Sequence, residues 1–348
     1  MLMGKFIIWV LINVFVFLAA VFCLEIVVRI VFPRINLQGM DRHLFVANKL
    51  GNSYGLRSSA EGYIFGERIK TDAIGLRIDP SLNFDRKNRK GILFVGDSIA
   101  CGTGVPASRS FPFLIQKYFD GYHVYNAAIH GYEIDNYLNA INYLIPKINC
   151  ETIVVCICLN DFTPISQKII LAEVNKNAEN ENVRSLFSRI NNSFFNFNEQ
   201  LRHRSKAYNL IKGVFSNASQ HYSMADKRLY AYPETEQYIA QEFRAIQKLA
   251  LKNQKKVVFF VFPYEYQLHS NLQYNEINHP QEVIKRAAKR EAVLLVDLYP
   301  FLKEFVSRHG QDSRALYLFG DPMHLSVLGH EIAAKAISKE LKERKLTN

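Results

Sequence analysis

Five short apolar runs constrain this chain more than anything else in its sequence. They are Gly91–Val95 (GILFV), Tyr122–Ala127 (YHVYNA), Thr152–Leu159 (TIVVCICL), Val257–Phe262 (VVFFVF) and Ala292–Leu298 (AVLLVDL). Most are apolar without alternation, as expected of strands covered on both faces in a parallel sheet. Helical patterns fall between them at 110–120, 134–147, 235–253 and 279–291, with a last helix at 326–345. Strand–helix alternation of this kind predicts an α/β sandwich with right-handed crossovers.

A different pattern opens the chain. Phe6 to Leu24 reads FIIWVLINVFVFLAAVFCL, with Asn13 the only strongly polar residue. As a helix this run covers roughly 28 Å, close to the ~30 Å hydrocarbon core of a bilayer. Trp9 lies near one end, where an indole suits the interface, and Glu25 and Arg29 are spaced to pair just past the run. A buried core helix of this length usually shows a polar stripe, and none is present. No small-x-small cleavage site follows cleanly, and the run exceeds a typical signal-peptide apolar region. Phe22 before Cys23 is too large for a lipoprotein cleavage site. We therefore expect an uncleaved single-pass transmembrane helix within residues 1–34. Lys5 on one side, with Arg29, Arg34 and Arg42 on the other, leaves its orientation open.

The remaining residues read as a membrane-proximal lead-in, 35–90, and a main domain, 91–348. An insertion at about 162–234 carries ten Asn between Asn175 and Asn217 and is expected to form a lid or side lobe. The chain of 348 residues is 49% hydrophobic and 22% charged, which excludes a wholly disordered or collagen-like protein. Its net charge of +11 invites a nucleic-acid or anionic-lipid reading. The basic residues are scattered, however, and the clusters Arg86–Arg89 and Lys335–Lys345 are interrupted by acidic or polar residues. No nucleic-acid signature accompanies them, so no nucleic-acid partner is expected. Of the five cysteines, Cys156 and Cys158 alternate on one predicted strand, and buried free thiols are the expected state.

Chemistry is concentrated at the carboxyl ends of the predicted strands. Ser98 ends Phe94–Val95–Gly96–Asp97–Ser98, where a strand stops and a helix starts. That position exposes a hydroxyl at the ligand-binding edge of an open sheet, beside free backbone N–H groups. A serine needs a base to become nucleophilic. His324 in Asp321–Pro322–Met323–His324 is a suitable base, with Asp321 placed to curl back onto its ring. Gly131 after the second strand and Asn160 after the third are candidate oxyanion donors beside the Ser98 N–H. Each motif alone has a bland reading, as a turn, a cap or a surface histidine. Together, in consistent order, they favour catalysis.

With these four blocks in hand, Gly96–Asp97–Ser98, Gly131 within NAAIHGY, Asn160–Asp161 and Asp321–x–x–His324, the sequence resembles the SGNH, or GDSL-type, hydrolases over about residues 91–340. The resemblance implies a three-layer α/β/α sandwich with a mostly parallel, flavodoxin-like sheet. It implies Ser98 as nucleophile, His324 with Asp321 as base, and Ser98, Gly131 and Asn160 as oxyanion hole. Cys158 departs from it, standing where the family often has Gly. The lead-in, with Asp72–Ala73–Ile74–Gly75–Leu76–Arg77, resembles membrane-anchored bacterial members. That likeness implies a single-pass inner-membrane protein with an extracytoplasmic catalytic domain and an acyl-ester substrate, such as an acetylated polysaccharide.

The expected function is thus a serine esterase or O-acyltransferase working through an acyl-enzyme, with no cofactor or metal called for. A non-enzymatic accessory or glycan-binding module on the same fold is the alternative. Arg77 is read as packing the lead-in onto the domain, or else as a contact for a substrate anion.

Overall fold

The structure, a computed structural model, describes residues 2–82, 89–162, 197–269, 277–310 and 312–347. Residues 86–88 of the Arg86–Arg89 cluster and 163–196 of the insertion lie outside the described residues.

All five predicted strands form: β6 (Lys90–Gly96), β7 (Tyr122–Asn126), β8 (Cys150–Ile157), β9 (Lys256–Val261) and β10 (Leu295–Asp297). They pair in parallel, in the order β10-β9-β8-β6-β7. Numbered by their appearance this is 2-1-3-4-5, the flavodoxin-like order, and the connections reverse direction between β6 and β8. The crevice at their carboxyl ends is where such sheets bind ligands.

The lead-in extends this sheet. Hairpin β1 (Phe45–Lys49) and β2 (Asn52–Leu56) stands apart. Strands β3 (Glu61–Ile64), β4 (Glu67–Thr71) and β5 (Arg77–Ile78) add antiparallel to β7, through the pair Arg77↔Asn126, giving eight strands. The segment from Thr71 to Arg77 makes a tight return in which the Asp72 side chain accepts from the Ile74, Gly75 and Leu76 N–H groups. Arg77 is buried, and its guanidinium donates to the Cys101, Gly102 and Val105 carbonyls. It is a packing residue of the lead-in and faces no open site.

Helices α4 (Ile134–Leu144), α7 (Pro233–Lys252) and α8 (His279–Arg290) pack together as one layer. A second layer holds α3 (Phe111–Ile115), α9 (Tyr299–His309) and α10 (Val327–Glu343). Helix α9 is absent from the expectations above, although Tyr299, Leu302 and Val306 bury the helical spacing one would look for. Aromatic rings fill the space between layers: Phe111 stacks on Phe262 at 5.2 Å and meets Phe94 edge-on at 5.9 Å. Burying each such ring is worth about 1.5–3 kcal/mol. All four cysteines of the main domain are buried and free.

Helix α1 (Leu2–Val31) leaves this core. Within it, Gly4–Val31 is the one helix among the described residues long and apolar enough to cross a membrane, and its most apolar stretch is wholly unburied. A membrane anchor and a signal sequence share that length and composition. Glu25 and Arg29 pair at 2.7 Å. Two further helices, α5 (Lys206–Phe215) and α6 (Ala218–Lys227), occupy the described part of the insertion, after a helical segment at 197–204.

Candidate active site

Strand β6 delivers Ser98 to the crevice as the first residue of the single turn α2 (Ser98–Cys101). Asp97 caps that turn, its Oδ1 accepting the Ile99 N–H at 2.9 Å. Gly96 serves close approach: a Cβ there would lie 2.7 Å from that of Ala100 and 3.0 Å from that of Cys156.

The histidine arrives from the other end of the chain on a loop pinned by the Tyr317–Leu325 bridge and by the Leu318 N–H on the His324 carbonyl (2.8 Å). Asp321 organises the turn. Its Oδ1 accepts the backbone N–H groups of Met323 (3.0 Å) and His324 (2.8 Å), and its Oδ2 lies 2.7 Å from His324 Nδ1. A carboxylate only accepts, so Nδ1 carries the proton and Nε2 is left to accept. Ser98 Oγ lies 2.8 Å from that Nε2, against 3.3 Å to Asp97 Oδ2, so the hydroxyl favours the ring. All three side chains are buried.

Burial works against charge on both members of the pair, and their mutual attraction overrides it. Burial alone would depress the His324 pKa, but the Asp321 carboxylate raises it above the ordinary value. Burial would likewise raise Asp321, yet His324 and the turn's N–H groups hold it below the usual carboxylate range.

Gly131 and Asn160 lie on loops at the same edge. The loop after β7 lies against the end of β6, with the Ile129 N–H on the Gly96 carbonyl at 3.1 Å, and Gly131 takes a positive φ of 80° that suits glycine. Asn160 sits in the turn after β8. Asp161 holds that turn, accepting the Cys158 N–H at 2.7 Å on its side chain and the Ile134 N–H at 3.1 Å on its carbonyl. The second bond ties the two loops together. Burial and the Asp97 charge push Asp161 well above the ordinary carboxylate value. Cys158 is buried at the strand end and leaves the Ser98–His324 line intact.

Two residues escaped the sequence reading. Phe65 meets the His324 ring edge-to-face at 5.3 Å. It belongs to the β3–β4 turn, where Phe65 and Gly66 both have positive φ (49° and 77°), the backbone of a type I′ hairpin. A bulky residue is strained there, and strain of that kind collects at functional sites. Asn36 braces the turn, donating to the Phe65 carbonyl (3.1 Å) and to that of Gly104 (2.8 Å). His130 stacks on His324 from another side and lies 3.4 Å from Thr103 Oγ1. Burial, with the nearby His324, depresses its pKa to about 3. Its place beside Gly131 was the available signal, diluted among ten histidines.

A carboxylate, an imidazole and a hydroxyl in hydrogen-bonded line make a serine nucleophilic, and the chain is of the serine ester hydrolase class. The model of the GDSL-like lipase/acylhydrolase family matches residues 94–332, more than half of the chain, and the chain belongs to that family. Several solved structures are similar to it at low identity. A member of the lipolytic protein G-D-S-L family from Veillonella parvula DSM 2008 is 13% identical, with a TM-score of 0.41 over 72% of this chain and 97% of its own. A catalytic mutant of Axe2, an acetylxylan esterase from Geobacillus stearothermophilus, is 14% identical, with a TM-score of 0.42 over 74% and 96%. TesA is 16% identical, with a TM-score of 0.41 over 74% and 100%. These scores lie below 0.5, so the family assignment rests on the sequence match. No curated protein matches the chain in sequence.

Proposed function

We propose that the protein is a membrane-anchored serine esterase or O-acyltransferase acting on acyl esters, acetyl esters first, of a glycan or other substrate outside the cytoplasm. The observation that carries the chemistry is the line of 2.7 and 2.8 Å contacts from Asp321 through His324 to Ser98. Ser98 Oγ attacks the ester carbonyl while its proton passes to His324 Nε2, and Asp321 stabilises the imidazolium. The Ser98 and Gly131 N–H groups and the Asn160 carboxamide receive the oxyanion. Collapse expels the alcohol, which takes the proton from Nε2, and leaves an acyl-Ser98. Water or a sugar hydroxyl then attacks, with His324 again as base, giving hydrolysis or transfer.

The unburied apolar surface of α1 supports the anchor, since a helix serving as core would hide it. The reading places α1 in a bacterial inner membrane with residues 91–348 outside the cytoplasm. Labelling with a fluorophosphonate serine probe tests the chemistry. Wild type is expected to label and Ser98→Ala to stay blank; labelling that persists in the variant refutes Ser98 as nucleophile.

A further inference from the structure

Helix α5 begins against α1. The Glu25 carboxylate accepts from Ser205 Oγ (2.8 Å) and from the Lys206 and Ala207 N–H groups (3.0 Å each), capping the first turn of α5. Arg29 donates to the Arg204 carbonyl at 3.1 Å, and Val28, Ile35 and Ala207 form a small apolar cluster of their own. This contact sets a depth. Phe6 to Leu24 covers roughly 28 Å of a ~30 Å hydrocarbon core, so Glu25 falls at its boundary, and the start of α5 falls there with it.

On α5, Ala207 and Asn209 turn inward, while Ile211, Val214 and Phe215 are exposed on one face at i, i+3 and i+4. Phe215 is 84% exposed. The other side of α5 meets the active-site loop: a Cβ on Gly213 would overlap the Phe319 ring, two residues before Asp321. Phe319 is itself 40% exposed. Basic residues outnumber acidic ones around α5, with Arg29, Arg34, Arg202, Arg204, Lys206 and Lys212 against Glu25, Glu67 and Glu199. Such charge complements anionic lipid headgroups.

We propose that α5 is an interfacial helix. Its Ile211–Val214–Phe215 face inserts at the headgroup boundary of the leaflet where α1 ends, and so holds the loop of Asp321 and His324 at the bilayer surface. The proposal rests on the reading of α1 as a membrane span, and commits that face to lipid rather than to a second copy or another protein.

Trp9 is the only tryptophan, which allows depth to be read one position at a time. The full chain is placed in nanodiscs of phosphatidylcholine and phosphatidylglycerol, with and without bromine on the acyl chains. Wild type reports on the span through Trp9. A Trp9→Phe/Phe215→Trp variant reports on α5, and loses no core contact because Phe215 is exposed. Trp9→Phe/Leu251→Trp is the control, because Leu251 is exposed near the end of α7, at the amino edge of the sheet. An interfacial helix sits about 5–10 Å into the boundary, so bromine is expected to quench position 215 about twofold. Position 9 is expected to be quenched and position 251 unaffected. Quenching at 9 without quenching at 215 overturns the proposal and leaves the anchor standing, and a blue-shifted but unquenched 215 assigns the face to protein. Equal quenching at 251 and 215 also overturns it. Absence of quenching at 9 overturns the anchor and this proposal together.

Discussion

The His130 and His324 rings lie nearly parallel, 5.8 Å between centroids and 15° between planes. Only one of the two titrates in the working range. His130, depressed to about 3, is neutral at every pH at which an ester hydrolase of this kind would be assayed, whereas His324 is raised above 6.5 by Asp321.

Of these two histidines, His324 is therefore the one that shapes the acid limb of kcat/KM. The proposed mechanism needs its neutral Nε2, so activity is expected to rise with pH as His324 loses its proton, above the ordinary imidazole value because the Asp321 carboxylate raises it. His130→Asn is expected to leave the position of that limb unchanged. Asp321→Asn removes the larger of the two carboxylates that raise the pKa, Asp97 being the other, so the limb moves to lower pH, while kcat falls by about 10⁴-fold. Hydrolysis of a chromogenic acetate ester from pH 4 to 9 checks both. A limb that shifts in His130→Asn contradicts this assignment.

Arg77 carries a stability prediction. Its guanidinium meets carbonyls at and just beyond the end of α2, the turn that opens with Ser98: Cys101, Gly102 (2.7 Å) and Val105 (2.8 Å). Arg77→Met takes this donor from the Cys101 and Val105 carbonyls, while Gly102 keeps the Val105 N–H at 3.3 Å, at about 1–3 kcal/mol for each acceptor left unsatisfied. Arg77→Lys offers a point charge in place of a planar fork and is expected to recover only part of the loss. Denaturant titration measures both. A near-neutral Arg77→Met would show that the fork is dispensable.

How much of this was legible follows from what each residue signals. The five buried strands announce themselves because a strand covered on both faces must be apolar throughout, as in TIVVCICL. Strands β3 to β5 do not, because EGYI and ERIKT are short, partly exposed and polar, and only tertiary pairing makes them strands. Ser98, Asp321 and His324 could be singled out because few residue types can do the chemistry proposed for them, and the structure brings Ser98 and His324 within hydrogen-bond reach across 226 positions. Phe65 was not. A phenylalanine has no chemical signature, and its place on the His324 ring depends on a strained turn that sequence spacing does not reveal.

Asp161 gives the last prediction. It is buried, with its pKa held well above the ordinary value by burial first and by the Asp97 charge second. The sign follows from linkage. The folded state keeps the Asp161 proton at pH values where the unfolded chain has released it, so its contribution to stability is full below pH 3.8 and is lost as pH rises toward the raised pKa. Asp161→Asn keeps an acceptor for the Cys158 N–H and has no charge to bury. Its melting temperature relative to wild type is therefore expected to climb between pH 4 and pH 8. Asp161→Ala, which abandons the acceptor, is expected to lose about 1–3 kcal/mol through the orphaned Cys158 N–H. Thermal melts across that range decide it: a difference between Asp161→Asn and wild type that does not change with pH would mean that the carboxyl is not titrating in the fold.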